Sequence, residues 1–309
     1  MDDVFHGSEV YPSLDIGPVV TIGNFDGVHL GHRALLERTL QLAGSLNVLS
    51  CAFTFSPAPR DVLRPENPVL RLQRTEDRIA SLLGAGLDQV IVEPFDMPYA
   101  KRDAQWFAEE VLTKRLNASA VVVGWDFRFG CGRTGGFEEL SNWMTVPVEQ
   151  VKALKVDGEV LSSSRIRFAV HDGFVEQAAQ YLGRTHEVVG TVVAGDGRGK
   201  HLGFPTANIA TETPLVPKDG VYAVRVFGIA DEALEGVCNI GGRPTFGEGP
   251  RQVEVHVLDA VGDFYGSKVR ISFETRLRDE QKFDEPESLI AQIREDVAVA
   301  RRWFAARVV

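Results

Sequence analysis

At 309 residues, 44% of them apolar and 25% charged, the chain can build two hydrophobic cores and has a globular rather than a disordered or fibrous composition. A formal net charge of −10 excludes a general nucleic-acid binder, because neutralising phosphates takes clustered Lys and Arg. No apolar run reaches membrane-spanning length, no basic–apolar leader opens the sequence, and Cys51, Cys131 and Cys238 lack C-x-x-C spacing, so a reduced cytoplasmic protein is expected.

The first strand predicted is 19–22, a buried β-branched run. It leads into GNFDGVHLGH, residues 23–32, and then an apolar-periodic helix over 33–46. Strand, glycine-bearing loop and helix start together suit an anion, since a helix N-terminus presents free N–H groups and the positive end of a dipole. His29 and His32 can donate to phosphate oxygens, and Gly31 lets a polyphosphate approach the backbone. Further strands are predicted at 48–55, 89–92 and 120–123, with helices at 75–84 and 104–116 between them. This alternation reads as a doubly wound α/β sheet whose ligands bind at the carboxyl ends of the strands.

After the fourth strand, VGWDFRFGCGRTGG places Asp126, Arg128 and Arg133 on a glycine-rich loop at the same sheet edge. Phe127 and Phe129 read as packing residues, and a solvated loop with Asp–Arg pairs is the plainer alternative. Another strand is predicted at 151–156, then LSSSRIR, residues 161–167, opening a helix through Ile166, Phe168 and Val170. A serine cap explains that segment structurally; free N–H groups, the hydroxyls of Ser163 and Ser164, and Arg167 equally suit phosphates.

Past Gly183 the pattern changes to short strands at 186–193, 220–227, 234–239, 252–258 and 267–273, separated by Gly, Pro and Asp. That spacing predicts an antiparallel barrel, closed off by an amphipathic helix over about 286–306. GDGRGKHLGFPTAN, 195–208, is read as a loop that offers Gly195, Gly199 and Lys200 to phosphate; a mobile hairpin turn is its plainer reading. Thr206 and Asn208 carry oxygens of the kind Mg²⁺ accepts alongside nucleotide phosphates. In RQVEVHVLD, Glu254 and His256 alternate with Val253, Val255 and Val257; Glu254 is either a solvated strand residue or a carboxylate that accepts a hydroxyl proton.

GNFDGVHLGH, VGWDFRFGCGR, LSSSRIR and GFPTAN with the later Glu254, in that order, resemble the bacterial bifunctional riboflavin kinase/FMN adenylyltransferase family over nearly the whole chain. The resemblance implies an N-terminal nucleotidyltransferase domain over 1–184 and a C-terminal riboflavin kinase domain over 185–309. It implies ATP-dependent phosphorylation of riboflavin to FMN, then adenylyl transfer to give FAD and pyrophosphate, with Mg²⁺ serving both sites. It assigns His29 and His32 to the ATP phosphates, with Gly23, Asn24, Phe25 and Gly31 around the nucleotide. Asp126 and Arg128 face the flavin, and Ser163, Ser164 and Arg167 hold the pyrophosphate. Gly195, Gly199 and Lys200 cradle the kinase nucleotide, Thr206 and Asn208 hold Mg²⁺–ATP, and Glu254 activates the riboflavin hydroxyl.

Three positions depart from the family pattern: Ala58 stands where F-x-P-H-P has histidine, Gly136 at an acidic position and Val160 at a basic one. They motivate a second reading, a riboflavin kinase whose first domain binds nucleotide or flavin without turnover. Two more readings are a non-catalytic flavin sensor and transfer to another phosphate acceptor. Expected partners are the small molecules ATP, riboflavin and FMN, with no nucleic acid and no membrane; self-association is compatible with all of this.

Overall fold

The computed structural model describes residues 3–195, 199, 202–242, 251–260, 262 and 264–307. The chain divides into two compact units, Met1–Ser163 and Ser164–Val309.

The first unit holds a six-stranded parallel sheet of β1 (Val4–Phe5), β2 (Val19–Ile22), β3 (Ser50–Ser56), β4 (Gln89–Pro94), β5 (Ala120–Gly124) and β6 (Val148–Val151), in the order β1-β4-β3-β2-β5-β6. Strands covered on both faces must be apolar at consecutive positions, which is why β2 is buried throughout. Val20, Phe53, Ile91 and Val121 pack on one face with Phe107 and Leu112. On the other face, Ala52 and Val90 pack with Leu36 and Leu82, and Val19 and Ala120 with Ala43. From β2 the chain builds outward through β3 and β4, then returns to place β5 on the other side of β2. The strand order therefore reverses between β2 and β5. Loops leaving their carboxyl ends diverge there and open the crevice that doubly wound sheets use for ligands.

Helix α1 (Leu30–Leu46) follows β2, and α2 (Pro59–Leu63) and α3 (Thr75–Gly84) lie between β3 and β4. Before β5, α4 (Met97–Ala100) precedes α5 (Ala104–Trp106), which continues as a π-helix over Phe107–Arg115. Helix α6 (Phe137–Trp143) precedes β6.

The strand expected at 151–156 is displaced. The segment that pairs with β5 is Val148–Val151, directly after Pro147. Residues Lys155–Val156 (β7) and Glu159–Val160 (β8) instead form a hairpin turned by Asp157 and Gly158, at φ 55° and 82°. β6 is a half-exposed edge strand, so it lacks the continuous apolar run by which its neighbours announce themselves.

In the second unit, β9 (His186–Val193), β10 (Ala207–Thr211), β11 (Gly220–Phe227), β12 (Leu234–Gly241), β13 (Gln252–Val257) and β14 (Lys268–Arg278) close an antiparallel barrel in the order β10-β13-β12-β11-β14-β9. β10 falls where a loop was expected, and β14 runs five residues further than its predicted end at 273. Val188, Ile209, Val224, Ile240, Val255 and Ile271 meet inside, so side chains fill the barrel. Helix α7 (Ser163–His171) leads to α8 (Val175–Leu182), which packs on β14 and β9 and adds Val175 to the interior cluster. The terminal helix, Pro286–Ala305, lays Ala300 and Phe304 against Val221, Ala223 and Val237 on the outer face. Arg278 Nε and Nη2 donate to both Asp296 carboxylate oxygens at 2.9 and 2.8 Å, tying that helix to β14.

Candidate active sites

The spacing of the two histidines is that of a helix N-cap and its third helical residue. His29 caps α1: its Nδ1 accepts the His32 backbone N–H at 3.2 Å. That acceptor role leaves the proton of neutral His29 on Nε2. The two rings stack, with centroids 3.6 Å apart and planes at 17°. Gly31 permits the arrangement, because a Cβ there would sit 3.1 Å from His29 Cε1. Phe25, fully buried with φ 49°, sets its ring edge-on to His32 with centroids 5.4 Å apart and lies against Gly23. Burial, and then the neighbouring His29, push the His32 pKa well below the ordinary imidazole value. Burial thus favours the neutral form of the His32 ring within the stack.

Sequence reasoning missed what holds the loop in place. Asp26 is buried, and its Oδ1 accepts the Leu72 N–H at 2.9 Å. Its carbonyl accepts the Ser163 hydroxyl at 2.9 Å, so the first residue of the phosphate-suited serine pair sits beside the histidine loop. Arg78 donates to the Asn24 and Phe55 carbonyls. A charged residue on an amphipathic helix ordinarily reads as solvated, and nothing in the spacing marked this one as buried.

Exposed Asp126 leaves the carboxyl end of β5, next to the end of β2. Arg128 is also exposed and lies 4.0 Å from Glu139. Phe127 and Phe129 stack at 5.0 Å and pack on the core, as expected of packing residues. Ser164 and Arg167 fall in the second compact unit, where Arg167 Nη2 donates to the Ser164 hydroxyl at 2.8 Å.

On the barrel, the kinase candidates converge. Asn208 on β10 and Asn239 on β12 both stand directly opposite Glu254 on β13. Partners directly opposite in a ladder share a face, so the three form a polar row across the outer surface while Val253 and Val255 point inward. Thr206 Oγ1 donates to Glu254 Oε2 at 3.4 Å. Gly195 lies against the Asn208 side chain and Gly199 beside Thr206; a Cβ on either would collide with its neighbours. Lys200 lies outside the described residues. His256, unassigned from the sequence, anchors the segment: its Nδ1 hydrogen bonds the Pro205 carbonyl at 2.8 Å and its ring meets Phe204 edge-on.

A metal site made of protein carboxylates and imidazoles alone does not occur among the described residues. The Thr206 hydroxyl and the Asn208 amide oxygen beside a carboxylate form a small set of hard oxygen donors. Such a set fits Mg²⁺, which completes its shell with water and phosphate oxygens.

Comparison with known proteins agrees in both halves. A family model described as FAD synthetase matches residues 12–165, and one described as riboflavin kinase matches 182–304. The bifunctional riboflavin kinase/FMN adenylyltransferase of Escherichia coli strain K12 is 37% identical over 93% of each chain. That of Pseudomonas fluorescens is 38% identical over 92% of each. A solved structure described as a macrolide-efflux protein from Streptococcus pneumoniae has a TM-score of 0.88 and 30% identity, covering 97% of this chain and 98% of that one. Among the described residues no helix is long and apolar enough to cross a membrane.

Proposed function

The chain belongs to the bifunctional riboflavin kinase/FMN adenylyltransferase family, and on that premise we propose how its residues divide the two transfers. The observation that carries the proposal is the chemical difference between the sites: a stacked histidine pair at a helix N-terminus in one unit, a carboxylate beside a hydroxyl and amides in the other.

The second unit phosphorylates riboflavin. An alcohol must lose its proton to attack phosphorus, and Glu254 is the base placed to accept it. Thr206 and Asn208 hold Mg²⁺–ATP, and the Gly195–Gly199 segment with Lys200 takes the phosphates. Bound Mg²⁺ supplies charge neutralisation on the phosphate oxygens. Asn208 and Asn239 flank Glu254 on the same face, and the Thr206 hydroxyl donates to its carboxylate.

The first unit adenylates FMN. The attacking phosphate is already an anion, so the site needs donors rather than a base. His29 donates from Nε2–H, His32 stacks behind it, and the free N–H groups of the α1 N-terminus add the dipole's positive end. Gly23, Asn24 and Phe25 shape the nucleotide loop, Asp126 and Arg128 address the flavin, and Ser163, hydrogen bonded to Asp26 of the histidine loop, takes the departing pyrophosphate. The kinase module spans 185–309 and the adenylyltransferase module 1–184, in a cytoplasmic enzyme.

Product analysis by chromatography tests this division. Purified protein with ATP and Mg²⁺ is expected to yield FAD from riboflavin and from FMN. FMN accumulating from riboflavin, with no FAD from either substrate, would overturn the role of the first unit. That outcome would instead fit a binding-only domain bearing Ala58, Gly136 and Val160.

A further inference from the structure

Arg78 of α3 is assigned to no site above, and stability does not explain it. It is 6% exposed, yet its guanidinium is incompletely paired. Nη1 donates to the Asn24 carbonyl and Nη2 to the Phe55 carbonyl, each at 3.0 Å, while Nε is buried with no hydrogen-bond partner. The buried Asp26 carboxylate favours the charge, but burial opposes it more strongly. An apolar side chain of similar length would avoid both the desolvation and the orphaned N–H.

The two carbonyls explain the position. Asn24 follows the carboxyl end of β2, and Phe55 lies near that of β3. Arg78 occupies one carbonyl from each strand. It also fixes the peptide between Asn24 and Phe25, the residue whose ring backs His32. If that peptide turned, Phe25 and the histidine it supports would move with it.

We infer that Arg78 is a positioning residue for adenylyl transfer, holding the Asn24–Phe25 peptide in register with the histidine pair by tying it to the Phe55 carbonyl near the end of β3. The inference rests on reading the histidine loop as the adenylyl-transfer site. The second unit's kinase activity provides an internal control for folding.

The test compares Arg78→Met and Arg78→Lys in the full chain, with His32→Ala alongside. Each activity is followed separately, together with the melting temperature. Arg78→Met is expected to lower kcat for FMN to FAD by about a hundredfold, the scale of a misplacement near 1 Å, with KM for FMN and riboflavin phosphorylation little changed. Arg78→Lys, which keeps a charge and donors, is expected to recover part of that loss. Wild-type FAD synthesis by Arg78→Met would overturn the inference. So would an equal loss of both activities in both variants, or a loss in FAD synthesis that Lys does nothing to restore. Unimpaired FAD synthesis by His32→Ala would instead overturn the reading of the loop, a result separate from the Arg78 comparison.

Discussion

Each transfer depends on a few side chains whose roles can be separated by single substitutions. His32→Ala removes a ring from the stack, and FAD formation from FMN is expected to fall by about 10²- to 10³-fold, with FMN formation from riboflavin within about twofold of wild type. Glu254→Gln keeps the shape but not the base, and the converse is expected: riboflavin phosphorylation falls by about 10²- to 10⁴-fold while supplied FMN is still adenylated. Assaying both variants on both substrates checks the pair, and loss of both activities in either folded variant would refute independent sites. A third residue sets a pH dependence. His186 is buried, donates from Nε2 to the Leu215 carbonyl at 2.9 Å, and burial depresses its pKa from 6.5 to about 4. The unfolded chain takes up this proton first. His186 therefore contributes stability fully above pH 6.5, and loses it as pH falls toward 4, by roughly 3 kcal/mol in all. Melting curves across that window should steepen this loss in the wild type and flatten it in His186→Leu.

At the scale of elements, the strands were legible where burial on both faces forces continuous apolar runs, as in β2, β3 and β5. They were not legible where one face is wet and the strand is short. β10 hides Asn208 in a segment partly read as a loop, because Ile209 is its one large apolar residue and the small and polar residues around it make no apolar run. β6 was displaced for the same reason, and the Asp157-Gly158 pair that turns the neighbouring hairpin went unread. The histidine motif was legible at a helix start because its spacing of three is also capping geometry. Arg78 and Asn239 were not, since their meaning depends on long-range pairing: one reaches two strand ends, the other faces Glu254 only through ladder register. The terminal helix offers its own test. Asp296, 5% exposed, is the carboxylate paired with Arg278. Asp296→Ala should destabilise the second unit by about 3 kcal/mol or more, because it leaves a cation uncompensated. Replacing both partners by Leu and Met should return most of that loss in urea denaturation.

At the scale of the molecule, two folds with different contact patterns share one chain, and the helices between them decide how it can be divided. Helix α8 sits with the barrel: Val175 enters the interior cluster, and Glu176 accepts from the Thr275 hydroxyl and the Arg276 backbone N–H. A fragment beginning at 164 is expected to melt cooperatively and phosphorylate riboflavin. One beginning at 185 loses Val175 and the fully buried Tyr181, and should melt at least 10 °C lower, about 2 kcal/mol for a domain of this size. Calorimetry on the two fragments checks this, and equal melting temperatures would mean that α8 is ornamental to the barrel.

Strand β13 has a longer consequence. Val253, Val255 and Val257 fill the barrel, while Glu254 and His256 stand outside it, hydrogen bonded to Thr206 and to the Pro205 carbonyl. On one stretch of six residues, odd positions answer to the barrel interior and even positions to the outer face on which the kinase site is proposed. Selection can therefore act on the two traits almost independently. A lineage drifting toward a new alcohol acceptor can sample replacements at every second codon without eroding the scaffold that keeps the remaining codons viable.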